Sequence, residues 1–421
     1  LQVLTCVIAQ KRDQQGHAHI IPARHVAAPH DARAPPCASL TREPTHCVAC
    51  KAPSESSDDG PREWPVATRR GRRIVDYRTG ETVSISIRRG KYLVAGAVLA
   101  LAGLGHLAQA APLTVYTALE DDEVSDYMAA AKKAMPDVEF HVLRLSTGDL
   151  AARVIAESGN PRADVIWGFA VTNMLDPRIH GALVKYEPAA AKALPDKYKG
   201  KDGTWFAATG YMNAFCVNTE RAKAKNLPIP TSWDDLTNPV YKGELVMPNP
   251  ASSGVGWLQI AALLQGRGED GWKYIGELNK NIAQYTSSGS KPCKMARTGE
   301  YAIGISFAFP AVQSIQQGFP VKMVIPPKWE GYELEATSIL ASTKNTKDAK
   351  RFVDWTLSPE AAALYGKYKE IVTIPGVPVA ERMLQAGLPQ DVGSVLYPID
   401  FEKSAAERAA ILKRWQQVTA R

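Results

Sequence analysis

The chain has 421 residues, of which 45% are hydrophobic and 22% charged, and a formal net charge of +7. These are ordinary values for a globular protein of two or three domains. An excess of cations can mark a nucleic-acid or anionic-membrane partner, but its placement argues against that here. Residues 1–112 hold 15 Lys+Arg against 9 Asp+Glu, whereas 113–421 hold 35 against 34. Four of the six cysteines (Cys6, Cys37, Cys47, Cys50) and six of the eight histidines also precede residue 113, leaving Cys216, Cys293, His141 and His180 beyond it.

Residues 1–82 show no sustained helical or strand periodicity and are rich in Arg, Pro, His and Ala, as in HAHIIPARHVAAPHDARAPP. Such a segment cannot bury enough apolar surface to offset its ordering entropy. It reads as a disordered or mis-called N-terminal extension, with Val83 a plausible true start. Its one zinc-like spacing, His46-Cys47-x-x-Cys50 with Cys37 upstream, lacks the structured support that four ligands need, so no metal or cofactor is assigned. Residues 83–111 combine a basic start (Arg88, Arg89, Lys91), an apolar run from Tyr92 to Gly105 and small residues in Leu107-Ala-Gln-Ala110, the pattern of a secretory signal peptide. The run covers about 21 Å as a helix, short of the ~30 Å hydrocarbon core. The expectation is an exported chain spanning about 112–421.

That part alternates strand and helix. LTVYTAL (113–119) reads as a strand, DDEVSDYMAAAKKAM (121–135) as a helix with acids first and lysines last, and VEFHVLRL (138–145) as a second strand. A helix over 148–157 and a strand over 163–167 complete an α/β pattern, in which ligands bind beyond the carboxyl ends of the strands. The strand ends pass into hydroxyl- or glycine-rich turns: Tyr116-Thr117-Ala118, Ser146-Thr147-Gly148 and Trp167-Gly168. Asn249-Pro-Ala-Ser252-Ser253-Gly254-Val-Gly256 stands between a strand (243–248) and a helix (257–265), and Thr286-Ser287-Ser288-Gly289-Ser290-Lys291 leads into a helix from Cys293 to Thr298. One such turn is ordinary N-capping; several at the junctions of one sheet point to an anion site without a catalytic group. Nucleophile elbows, P-loops and zinc-protease motifs do not occur. Cys216 and Cys293 are too far apart for a redox pair; a structural disulfide closing a 77-residue loop is the preferred reading, two buried thiols the alternative.

The tract VMPNPASSGVGWLQIAALLQGRGEDGWKYIGELNKNIAQYTSSGSKPCKMARTGEYAIGISF (246–307) resembles the periplasmic 2-aminoethylphosphonate-binding proteins of ABC importers. LTVYTALE (113–120), STG (146–148), ADVIWG (163–168), LTNPVYKG (236–243) and LEAT (334–337) extend the match over essentially all of 113–421. The resemblance implies a type II periplasmic-binding fold: two α/β lobes with mostly parallel central sheets, joined by a two-segment hinge. Lobe one would be about 113–212 plus 335–388 and lobe two 213–334 plus 389–421, with the C-terminal helices packing back on it. It also implies a monomeric, non-enzymatic periplasmic protein that passes its ligand to an inner-membrane permease. Phosphonate oxygens want N–H and O–H donors, and these fall to Thr117, Ser146, Thr147, Ser252, Ser253, Gly254, Ser288 and Ser290. The ammonium wants a carboxylate or an aromatic face, given by Glu335 or Glu120 and by Trp167 or Tyr116. Where relatives would read SFEYRA, this chain reads Ser306-Phe-Ala308-Phe-Pro310-Ala, which opens another phosphonate or a phosphate ester as ligand. The rival of the same fold is a ferric-ion binder using Tyr365 and Tyr368. The distant one is a secreted hydrolase using His141 or His180.

Overall fold

A computed structural model describes residues 111–420. The N-terminal extension, its zinc-like spacing and all but the last residue of the export signal lie outside the described residues. The first strand, β1 (Leu113–Thr117), pairs in parallel with β2 (Phe140–Arg144) and β3 (Val165–Ala170). Helix α1 (Asp121–Ala134) follows β1, with Asp121, Asp122 and Glu123 in its first turn and Lys132 and Lys133 in its last, both favourable to the helix dipole. Helix α2 (Thr147–Ala156) follows β2 and buries Leu150, Ala151 and Val154, the i, i+1, i+4 stripe of an amphipathic helix.

The chain then enters β4 (Phe206–Asn218), thirteen residues buried throughout. Its first half pairs antiparallel with β9 (Tyr332–Ile339) and β10 (Ile371–Val372); its second half pairs antiparallel with β7 (Ile303–Phe307) and β8 (Val321–Val324). Beyond β7 lie β5 (Leu245–Pro248) and β6 (Ile282–Thr286), again parallel. The sheet order is β2-β1-β3-β9-β4-β7-β5-β6. Two parallel wings are therefore joined through an antiparallel centre carried by β4 and β9. This is an α/β architecture.

Each wing has its own apolar packing on both faces. In the first wing, Leu113, Val115, Trp167 and Phe352 pack on one side and Leu150, Ile166 and Phe169 on the other. In the second, Met212, Cys216, Phe307 and Val312 form one cluster and Phe215, Trp233, Leu245 and Ile303 another. Met383 and Leu388 join the second-wing cluster, although the sequence reading places 335–388 in lobe one. The C-terminal helix Phe401–Thr419 returns to the second wing, burying Trp415 and pairing Arg414 with Glu269. Cys216 on β4 is bonded to Cys293, with Cα atoms 5.3 Å apart, so the disulfide reading holds. Among the described residues no helix is long and apolar enough to cross a membrane.

Candidate functional site

The carboxyl ends of the parallel strands of both wings face one small cavity. The first wing brings Ala118 and Glu120 after β1, Ser146 and Thr147 after β2, and Gly168 within β3. The second brings Ser253, Gly254 and Val255 after β5, Gly289 after β6 and Phe307 at the end of β7. This is where open α/β sheets place ligands. It is also where helices begin. Glu120 caps α1, Ser146 caps α2, Ser253 caps α3 (Gly254–Arg267), and Phe307 precedes a helix at Ala308–Gln316. Helix N-termini carry partial positive charge and surplus N–H donors, so their convergence makes a field suited to an anion.

The wings touch across this cavity. The Gly148 amide donates to the Ser252 carbonyl at 2.8 Å, and Ser290 Oγ donates to Glu120 Oε2 at 3.0 Å. Gly148 is needed there: a Cβ at that position would fall 2.0 Å from the Ala251 carbonyl oxygen. The cavity is partly open to solvent, and its volume is about 30 Å³, room for about two waters.

The charged groups come from the first wing and the strands joining it to the centre. Lys369, buried, donates to Glu123 at 2.9 Å and to Glu335 at 2.8 Å. Burial works against its ammonium, yet the two carboxylates hold its pKa above the ordinary lysine value. Glu123 moves up because burial outweighs the attraction of Lys369, with Glu335 adding repulsion. Glu335 also accepts from Thr209 Oγ1 at 2.6 Å. Arg144 spans Glu120 at 3.2 Å and the Leu119 carbonyl at 2.8 Å. Three carboxylates thus face two cations. Tyr211, on β4, is pushed well up, first by burial and then by Glu333 and Glu335, while a hydrogen bond with Thr147 acts in the opposite direction.

Of the residues the sequence singles out, Glu120, Ser146, Thr147, Ser253, Gly254 and Glu335 line the cavity, and Ser290 reaches Glu120 at its edge. Others need correction. Trp167 packs edge-on to Phe352 at 5.3 Å within the first-wing core; strand alternation turns it away from the cavity and leaves Gly168 there. The Tyr116 hydroxyl donates to Glu157 and accepts from Arg153 on the far face of the sheet. Thr117 Oγ1 accepts from the Leu119 amide and stabilises the turn. The Ser252 hydroxyl donates to the Ser287 carbonyl at the exposed rim, and Ser288 pairs with Ser290. The departure from SFEYRA lies in packing: Ala308 joins the second-wing core and Pro310 is buried, while Phe307 beside them faces the cavity.

Sequence reasoning missed Glu123, Arg144, Tyr211 and Lys369, all of which line the cavity. Arg144 had a usable signal, since it stands at the carboxyl end of a predicted strand next to the Ser146 turn. Lys369 had none, because it reaches the site from 246 residues beyond Glu123.

A family model described as bacterial extracellular solute-binding protein matches residues 160–391. An uncharacterized protein of Haemophilus influenzae is 35% identical over 297 residues, covering 67% of this chain and 83% of that one. A probable ABC transporter periplasmic-binding protein, y4fP of Sinorhizobium fredii, is 27% identical, covering 62% and 74%. Among solved structures, the periplasmic binding protein AfuA from Actinobacillus pleuropneumoniae, with exogenous fructose-6-phosphate bound, superposes with a TM-score of 0.68 at 30% identity, covering 73% of this chain and 98% of that one. Iron-bound HitA from Pseudomonas aeruginosa shares the fold at 18% identity and a TM-score of 0.62, covering 73% and 99%. These neighbours are binding proteins, and their fold is the type II periplasmic-binding fold. The chain belongs to the bacterial extracellular solute-binding protein family.

Proposed function

We propose that this protein captures a small organic phosphonate in the periplasm, 2-aminoethylphosphonate first among candidates, and delivers it to the permease of an ABC importer. The observation that carries the reading is the convergence of helix N-termini on one cavity together with the Ser146, Thr147 and Ser253 hydroxyls. That arrangement offers donors to an anion's oxygens. The ligand's other end meets Glu120 and Glu335, whose oxygens have lone pairs beyond those used by Arg144, Ser290, Lys369 and Thr209. An excess of carboxylate favours a ligand with a donor-bearing tail over bare phosphate.

A phosphate ester is the second reading. It is favoured by the AfuA structure with its bound fructose-6-phosphate, whose hydroxyls would take the place of the ammonium. The ferric reading is weaker. The Tyr365 hydroxyl is buried and donates to the Thr356 carbonyl, whereas that of Tyr368 donates to Asp126, so the two do not converge. His180 pairs with Asp202 and Thr204, but the Thr204 hydroxyl donates to Asp202 and is no activated nucleophile.

In this reading the two wings are lobes, about 113–212 plus 335–388 and 213–334 plus 389–421 except that Met383 and Leu388 pack with the second, and they part at the central strands to admit the ligand. A cavity of about 30 Å³ has room for about two waters, so in this reading the lobes close around the ligand with more space than they leave here. Calorimetric titration with 2-aminoethylphosphonate, fructose 6-phosphate, inorganic phosphate and ferric ion tests the assignment. Tight 1:1 binding of either organophosphorus ligand supports it. A coloured ferric complex, or no heat from either organophosphorus ligand, overturns it.

A further inference from the structure

Gly289 of the Ser288-Gly289-Ser290 turn lines the cavity, and Ser290 reaches across to Glu120. The turn leads into α4 (Lys291–Arg297), a helix of seven residues. A helix that short has little stability of its own and must be held by its surroundings. Several contacts tether it and the turn before it, among them a hydrogen bond that Asn218 Nδ2 of β4 donates to the Ala296 carbonyl at 2.8 Å. Cys293, fully buried, is bonded to Cys216 of β4. Cys216 stands in register with Gly304 of β7, and a Cβ at Gly304 would lie 2.2 Å from the Pro292 carbonyl oxygen, so only glycine lets the chain approach the sheet this closely. Ser306 Oγ, also on β7, donates to the Gly289 carbonyl at 2.7 Å.

We infer that the Cys216–Cys293 disulfide positions the Ser288–Ser290 turn for ligand binding, beyond any general stabilisation of the fold. Only Lys291 and Pro292 separate Ser290 from the bonded Cys293, and proline removes a backbone freedom between them. The bond therefore fixes the turn relative to β4, the strand that runs from one wing to the other. Without it, the turn keeps the Ser306 hydrogen bond but loses its covalent link to the sheet, and a ligand must then order the turn on binding. The inference rests on the proposed location of the site, not on the identity of the ligand.

The test compares wild type, the Cys216→Ala/Cys293→Ala double variant and wild type reduced in place with a phosphine, by hydrogen exchange and calorimetry. Leu278→Ala, a core change in a second-wing cluster separate from that of Cys216 and Cys293, serves as the matched thermal control. In the double variant and the reduced protein, amides of 288–291 are expected to exchange about tenfold faster. Affinity for 2-aminoethylphosphonate or fructose 6-phosphate is expected to fall about tenfold or more, the effect of having to order even one freed residue. Leu278→Ala should lower the melting temperature and leave both readouts at wild-type values. Unchanged exchange at 288–291, or the same affinity loss in Leu278→Ala, overturns the inference. If wild type binds neither probe, the exchange arm still decides it, and the ligand reading is what fails. If the double variant does not fold, the reduced protein supplies both readouts.

Discussion

The two walls of the cavity are built from different chemistry. The first wing and its adjoining strands contribute Glu120, Glu123, Arg144, Glu335 and Lys369, a linked set of charges already paired to one another. The second wing contributes Ser253, Gly254, Val255, Gly289 and Phe307, with no charged side chain. Paired charges in a buried setting are costly to disturb, so the first wall is a rigid, oriented surface. Hydroxyls and backbone donors at helix starts offer attraction without a counter-charge to displace. In the proposed reading the contrast assigns the ligand's charge to the helix ends and the choice of its other end to the ion pairs.

The largest effect that can break this comparison falls on the charged wall. Lys369→Met leaves Glu123 and Glu335 buried without their shared cation and is expected to cost roughly 3–5 kcal/mol of folding stability; urea unfolding at neutral pH measures it. A loss near zero would mean that the ion pairs are not what organises that wall. On the neutral wall, Ser253→Ala removes the α3 cap and, in the proposed reading, a donor to a charged oxygen. It should weaken binding by roughly 1.5–3 kcal/mol while costing about 1 kcal/mol of stability. Calorimetry and thermal melting, read together, separate the two.

The contact between the walls gives the next test. Gly148→Ala places a methyl against the Ala251 carbonyl and should oppose closure by roughly 1–3 kcal/mol, seen as weaker binding with a nearly unchanged melt of the ligand-free protein.

A pH-dependent effect concerns the strands between the wings. Burial pushes Glu333 up to about 7, against the hydrogen bonds it accepts from Thr172 and the Leu334 amide. A carboxyl with a raised folded-state pKa binds its proton more tightly in the folded chain. Its contribution is therefore favourable at low pH and is lost as pH rises from the ordinary value of 4.5 through about 7. Glu333→Gln should stabilise the protein at pH 8 and leave it unchanged at pH 4, the gain being trimmed because Arg408 loses a neighbouring carboxylate. A gain that is equal at both pH values would refute this account of Glu333.

Much of the first wing was legible. Strands at 113–119 and 138–145 and a helix at 121–135 are found at Leu113–Thr117, Phe140–Arg144 and Asp121–Ala134, because apolar periodicity and end-charges agree over these segments. The turns were legible as strand–helix junctions, and Ser146, Thr147, Ser253 and Gly254 from them line the cavity. The antiparallel centre was not, since β4 is buried on both faces and shows no alternation. The aromatic choices failed because a strand's two faces are indistinguishable without knowing which one a helix covers, and Tyr116 and Trp167 both point into packing. The ion-pair network was illegible because Glu123, Glu335 and Lys369 are neighbours only through the sheet topology.

The central claim is that an organophosphorus anion lies between Ser146-Thr147 and Ser253-Gly254, with its tail toward Glu120 and Glu335. A crystal structure of the complex with 2-aminoethylphosphonate tests it most directly. The account predicts phosphonate oxygens within hydrogen-bond reach of both turns and the ammonium against a carboxylate. A ligand bound elsewhere, or with its ammonium turned to the helix starts, would contradict it.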